Sequence, residues 1–289
     1  MTRNSRLLLI SLGNTDLFTP SPQRPVRVRS RSMAADTHLE PHTHAWAQLA
    51  YCATGVVQVT AEYTRPDQTK TDEITYIIPP SRAVWIAPGA RHHITVLQAA
   101  ELRTLYLDAS ATPEGWQGCR VMVVSPLLRE LVHSLDDGTG QRLPESRAQW
   151  LSALVLDEIT HADIQALGVP MPHPDTGDKR LRALCQAVLR APSERATLAG
   201  WAADIGASER TVARLFREQL GLSYQQWRQQ AILAHALPML ARGIPVGQIA
   251  AASGYASESA FSAMFKAAMG QPPSQFHAKS PQPSAEIAT

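Results

Sequence analysis

Leu198-Ala199-Gly200-Trp201-Ala202-Ala203-Asp204-Ile205-Gly206-Ala207-Ser208 leads into Glu209-Arg210-Thr211-Val212-Ala213-Arg214-Leu215-Phe216. About fifty residues later the chain says the same thing again. Val246-Gly247-Gln248-Ile249-Ala250-Ala251-Ala252-Ser253-Gly254-Tyr255-Ala256-Ser257 leads into Glu258-Ser259-Ala260-Phe261-Ser262-Ala263-Met264-Phe265-Lys266. Each copy reads as a short apolar helix, a turn at glycine, a serine cap and a second, amphipathic helix. That order is helix-turn-helix grammar, in which the second helix lies in the major groove of DNA. Two copies imply one polypeptide that meets two grooves.

The helical spacing divides each second helix into faces. In the first, Val212, Leu215, Phe216 and Leu220 form one apolar stripe, and Arg210, Arg214 and Arg217 form another that faces outward. Arginine suits base edges because its guanidinium can bond guanine O6 and N7 together. A solvated helix face explains such a stripe on an isolated helix; repetition of the whole unit favours the DNA reading. In the second copy the apolar stripe is Phe261, Met264, Phe265 and Ala268. Its outer face is Glu258, Ser259, Ser262, Ala263 and Lys266, with Lys266 the one cation. Between the copies, Tyr224 to Leu240 reads as a helix of roughly 25 Å, long enough with its turns to set two readers about one duplex turn, ~34 Å, apart. Pro238 is expected to kink or fray its end.

The chain's 289 residues suit about two domains, and 44% hydrophobic content is ample for packed cores. No apolar run approaches the roughly 18–20 residues of a membrane span. Leu7-Leu8-Leu9-Ile10 is soon followed by Asn14 and Asp16, which argues against a signal peptide. Cys52, Cys119 and Cys185 are scattered and make no CxxC, so neither a disulfide framework nor a thiolate zinc site is indicated. A cytoplasmic protein is expected. The net charge of +2 is unevenly spread: residues 175–289 carry 12 Lys and Arg against 8 Asp and Glu, and the preceding part carries 15 against 17. The basic excess lies with the repeats, the direction that contact with phosphates requires.

The remaining texture gives an α+β chain of two domains. Residues 1–24 read as a weakly ordered extension. Residues 25–110 are short β-branched or aromatic runs broken by Pro and Gly, such as Ile74-Thr75-Tyr76-Ile77-Ile78 before Pro79-Pro80, and suggest a small barrel. Residues 111–167 read as a helical connector carrying Leu127, Leu128, Leu131 and Leu135, then Trp150, Leu151, Leu154, Val155 and Ile159. Three prolines mark 168–178 as a linker, 179–279 form the helical domain, and 280–289 a tail. The connector helices are the expected dimer surface, against the alternative that they only cover the barrel.

From about Lys179 to His277 the chain resembles the DNA-binding domain of the AraC/XylS family of bacterial transcription regulators. The resemblance is carried by the two units above and by the closing Gly270-Gln271-Pro272-Pro273-Ser274-Gln275-Phe276. It implies a regulator that binds double-stranded DNA, with RNA polymerase a candidate partner. By position, the family's base-reading residues match Arg210, Ala213 and Arg214 in the first unit and Glu258, Ser259 and Ser262 in the second. Ala263 stands where an arginine is usual. Ser208, Thr211 and Ser257 complete the expected DNA-binding set, with Arg217 and Lys266 assigned to phosphates.

His42-Thr43-His44-Ala45-Trp46-Ala47-Gln48, then Gly55, resembles the first motif of the cupin barrels, with Gln48 at the glutamate position. Ala87-Pro88-Gly89-Ala90-Arg91-His92 resembles the second. In metal-bearing cupins these positions converge as three histidines and a carboxylate. Three readings stay open: an organic-effector pocket without metal, a divalent ion on His42, His44, Gln48 and His92, or structural histidines. An amide in place of the carboxylate weakens the metal reading. The expected effector-binding set is His42, His44, Gln48, Tyr51, Trp85, His92 and Tyr106, with no metal and no cofactor. An enzyme is not expected, because no base or nucleophile stands near a substrate position and no G-x-S-x-G elbow is present. The sequence thus predicts a cupin-like sensor barrel responding to a small molecule, joined to a pair of helix-turn-helix units.

Overall fold

A computed structural model of the chain describes residues 8–11, 16–64, 71–80, 82–136, 143–165, 167–173, 176–194, 197–204 and 206–276. The extension before residue 25 falls partly, and the tail after 279 wholly, outside the described residues.

Among the described residues ten strands form one folded sheet: β1 (Leu8–Ile10), β2 (Val26–Met33), β3 (Thr37–His42), β4 (Ala47–Thr64), β5 (Thr71–Ile78), β6 (Arg82–Ile86), β7 (His92–Leu107), β8 (Cys119–Val123), β9 (Ile164–Gln165) and β10 (Gly168–Met171). The long strands β4 and β7 run antiparallel and act as its spine. The first half of β4 pairs with β6 and the second half with β5, while β7 gives its first half to β3 and its second half to β2. Register shifts between Cys52 and Val57 bend this spine so that its two halves share one apolar core. Gly55 sits at the bend with φ 77°, where a Cβ would lie 2.2 Å from the carbonyl oxygen of Ala99. Only glycine fits both that conformation and that approach.

The sheet reaches well past residue 110. Strands β8, β9 and β10 all belong to it, and helices α1 (Pro126–Leu135) and α2 (Glu145–Thr160) lie on its outer wall instead of forming a separate connector. Leu128, Leu131, Val132, Val155 and Ile159 are buried there against Leu49, Tyr51, Trp85 and Leu105. The supposed linker also needs correction. Its first four residues, Gly168–Met171, form β10, paired antiparallel with β5. Prolines read as breakers, but an edge strand tolerates one whose missing N–H points away from its neighbour.

The C-terminal part is helical: α3 (Lys179–Arg190), α4 (Leu198–Asp204), α5 (Glu209–Leu215), α6 (Tyr224–Ala241), α7 (Val246–Ala252) and α8 (Glu258–Met269). A capping box of Ser223 and Gln226 starts α6. Its Trp227 packs with Leu181, Trp201, Val212 and Phe216, and its Ile232, Ala236 and Leu240 pack with Ile249, Phe261 and Phe265. One helix therefore serves the cores of both units. Pro238 does not end it: the helix runs on to Ala241. Proline there removes a single N–H in the last turn, and buried Leu237, Leu240 and Ala241 hold that turn down. No described helix is long and apolar enough to cross a membrane.

Candidate DNA interface and effector site

Each reading helix starts at a serine. The Ser208 hydroxyl accepts the Thr211 backbone N–H at 3.2 Å, and the Ser257 hydroxyl accepts that of Ala260 at 3.2 Å. Gly206 and Gly254 precede them in the left-handed region, at φ 62° and 78°, and turn the chain out of the first helix. Val212, Leu215, Phe216 and Leu220 are buried as their spacing predicts, and α5 continues through Phe216–Leu220 as a π turn. Arg210, Arg214 and Arg217 are all exposed, with Thr211 and Ala213 half-buried beside them. Arg214 Nη1 pairs with Glu218 Oε2 at 2.8 Å on the helix surface, whereas Arg210 and Arg217 have no ion-pair partner among the described residues.

In α8 the buried residues are Phe261, Phe265 and Met269, with Met264 and Ala268 only half-buried. Ser257, Glu258, Ser259, Ala263 and Lys266 are exposed and Ser262 is half-buried. The hydroxyls of Ser257 and Ser259 lie 3.0 Å apart at the helix start. All the expected DNA-contact residues thus stand on or beside the open faces of α5 and α8.

The second cluster lies in the sheet domain. His42 closes β3 and stands directly across from His92, the first residue of β7. His44 follows in the turn to β4, where Gln48 enters the ladder. The ring centroids of His42 and His92 are 4.3 Å apart, those of His44 and His92 5.0 Å, and those of His42 and His44 6.0 Å. One nitrogen from each ring lies within 4.8 Å of the others. Burial, reinforced by neighbouring rings, pushes the His92 imidazole down to about 3 and lowers that of His44, so both are neutral near neutral pH. The Gln48 amide is 2.9 Å from Nε2 of His44.

Four of the expected effector residues, His42, His44, Gln48 and His92, are brought together, and Tyr106 joins them with its ring centroid 6.1 Å from that of His44. Tyr51 and Trp85 do not. Side chains alternate across a strand, so Gln48, Ala50 and Cys52 share one face of β4 while Leu49 and Tyr51 share the other. Trp85 sits opposite Leu49, and both Tyr51 and Trp85 pack under α1 and α2. Trp46, overlooked in the sequence, belongs to the site: it stacks on His44 at 5.4 Å with an interplanar angle of 2°. Its position inside the His42–Gln48 segment was the available signal.

Polar contacts tie the sheet to the helices. Buried Arg82 donates from Nε to Gln165 Oε1 at 2.6 Å and from Nη2 to the Met269 carbonyl at 3.1 Å, at the C-terminus of α8. A cation at that end also meets the negative pole of the helix. Gln98 Nε2 donates to the Ala241 carbonyl, and Arg242 Nη2 to the Leu97 carbonyl, each at 3.0 Å. Trp227 Nε1 donates to the Pro170 carbonyl at 2.7 Å.

Paired groove-reading helices packed on a sheet with a polar cluster define a DNA-binding transcription regulator with a ligand-binding domain. The chain belongs to the AraC family of helix-turn-helix transcription regulators. Residues 24–155 match the AraC-like ligand binding domain and 201–279 a helix-turn-helix domain. The HTH-type transcriptional regulator NimR of Escherichia coli (strain K12) is 33% identical over 239 residues, 82% of each chain. The arabinose operon regulatory protein of the same organism is 26% identical over 133 residues, 45% of each. The structure of ToxT from Vibrio cholerae covers 87% of this chain and 97% of its own at 12% identity, with a TM-score of 0.35.

Proposed function

We propose that the protein is a one-component switch in which a small ligand at the His42–His44–His92 cluster sets how α5 and α8 are presented to an operator. The observation that carries this reading is the shared core. Leu39, Ile94 and Val96 of the sheet belong to the same apolar cluster as Leu237, Leu240, Phe261 and Phe265 of the helices. A ligand that favours one arrangement of β3 and β7 therefore acts on the packing beneath the second unit, and reaches the first through α6, which serves both cores. Arg210 and Arg214 are assigned to base edges, with Ala213 alongside, and Arg217 and Lys266 to phosphates; Glu258, Ser259 and Ser262 are the second unit's base-facing set. Ser208, Thr211 and Ser257 orient the helix starts. The protein works in the cytoplasm, performs no catalysis, and pairs with a second copy through Leu127, Trp150 and Leu154, large apolar side chains exposed on α1 and α2. RNA polymerase is the partner through which bound protein changes transcription.

Coupling between two sites is reciprocal, so DNA must act back on the barrel. The test is hydrogen exchange on the full chain with and without an operator taken from a genome-wide map of its bound sites. Operator binding is expected to change exchange in β3 and at the start of β7, and Arg82→Met to remove that change. An operator response confined to the helices would leave the two parts uncoupled and overturn the reading.

A further inference from the structure

The two helix-turn-helix units are tied by more than the helix they share. Along α6, Tyr224, Trp227 and Ala231 belong to the core of the first unit, while Ile232, Ala236 and Leu240 belong to that of the second. Arg228 stands one turn before this changeover. Its Nη2 donates to the carbonyl oxygen of Pro192 at 3.3 Å and to that of Ser253 at 3.4 Å. Pro192 follows α3, whose Leu181, Leu184 and Val188 pack into the first core. Ser253 caps the end of α7 and opens the turn of the second unit. The two backbones also approach each other directly. A Cβ on Gly254 would lie 3.2 Å from Cα of Ser193 and 3.2 Å from Nη2 of Arg228.

Stability alone gives no reason for an arginine here. The side chain is half-buried, no carboxylate pairs with it among the described residues, and its Nε is buried without a hydrogen-bond partner there. Desolvating a guanidinium is costly, and an unbranched apolar side chain can fill the same space without that cost. What the arginine supplies is direction. One nitrogen with two hydrogens in a rigid plane fixes both acceptors relative to each other. We propose that Arg228 is a positioning residue for DNA binding. It holds the turn of the second unit at a fixed separation from the frame of the first, so that α5 and α8 meet half-sites of one set spacing. The proposal rests on the reading that α5 and α8 enter two grooves of one operator. Two modules joined stiffly at the matching distance bind a two-part site more tightly than loosely joined ones, and tolerate less change in it. One added base pair moves a half-site about 3.4 Å along the duplex and turns it roughly 34° about the axis.

The test measures binding of the full chain to duplexes that carry an operator from a genome-wide map of its bound sites, native or with base pairs inserted between the α5 and α8 half-sites. Wild-type affinity should fall more than about tenfold with one added base pair, and Arg228→Met should narrow that gap to within about threefold while weakening binding at the native spacing. The variant's denaturation midpoint should stay close to that of the wild type. Its salt dependence should also be unchanged, since a lost phosphate contact would lower the slope by about one. If Arg228→Met does not fold, Arg228→Lys takes its place with the same expectation, because lysine keeps the stem and charge without the planar fork. A uniform loss at every spacing, or a salt slope lower by about one, overturns the proposal. A wild-type spacing penalty that the folded variant retains in full removes the role of Arg228 and leaves the two-groove reading. A wild-type protein indifferent to spacing removes that reading, and the role of Arg228 with it.

Discussion

Helix α5 turns three arginines to solvent, while α8 turns out one lysine among serines, a glutamate and an alanine, although both start at a serine cap after a left-handed glycine. Their buried sides are alike in kind: Val212, Leu215 and Phe216 in one, Phe261, Phe265 and Met269 in the other. Packing against the central α6 constrains only the inner stripe, so the outer one is free to differ. The contrast teaches that a repeated fold unit need not repeat a binding function. The grip on DNA is expected to be asymmetric, with most of the charge-assisted contact at the first unit.

The comparison can be broken first at its shared base. Phe216→Ala and Phe265→Ala each empty a fully buried site, and each should cost about 3–5 kcal/mol in denaturant unfolding. A cost under about 1 kcal/mol at either would mean the two frames are not packed alike. The outer faces come next. Arg214→Ala should lose about 1–3 kcal/mol of operator affinity and relax preference at one base pair, measured across a panel of operator variants. Ser262→Ala on α8 should lose clearly less; equal losses would erase the asymmetry. The smallest effect concerns the Arg214–Glu218 pair, which is surface-exposed and so worth about 0.2–1 kcal/mol at most. Glu218→Gln releases the arginine and removes a negative charge near phosphate, so operator binding should tighten within that range at low salt. Weaker binding instead would assign Glu218 the task of aiming Arg214.

Legibility differed between the two halves for a physical reason. A helix-turn-helix unit is local: its caps, turn glycines and stripes all fall within about twenty residues, so Ser208, Arg210 and Arg214 could be placed from spacing alone. The histidine cluster was half legible. His42, His44 and Gln48 lie within seven residues, but His92 arrives from a distant strand, and only the β3–β7 pairing sets it opposite His42. Tyr51 and Trp85 were misplaced because a polar pocket and an apolar wall both accept aromatics, and only strand register tells which face each takes. The strand at Gly168–Met171 was hidden for a similar reason: proline forbids a central strand but not an edge, and edges are known only once the sheet is assembled.

The sequence by itself determined the α+β division, the two reading units and the inequality of their outer faces, because these follow from short-range periodicity and capping. Tertiary structure alone decided that the supposed connector is the outer layer of the sheet domain. It also decided that β3 and β7 lie over the core of α6–α8, that Arg82 reaches from the sheet to the end of α8, and that three imidazole rings converge. Those facts depend on pairings between residues tens to hundreds of positions apart, which no local pattern encodes.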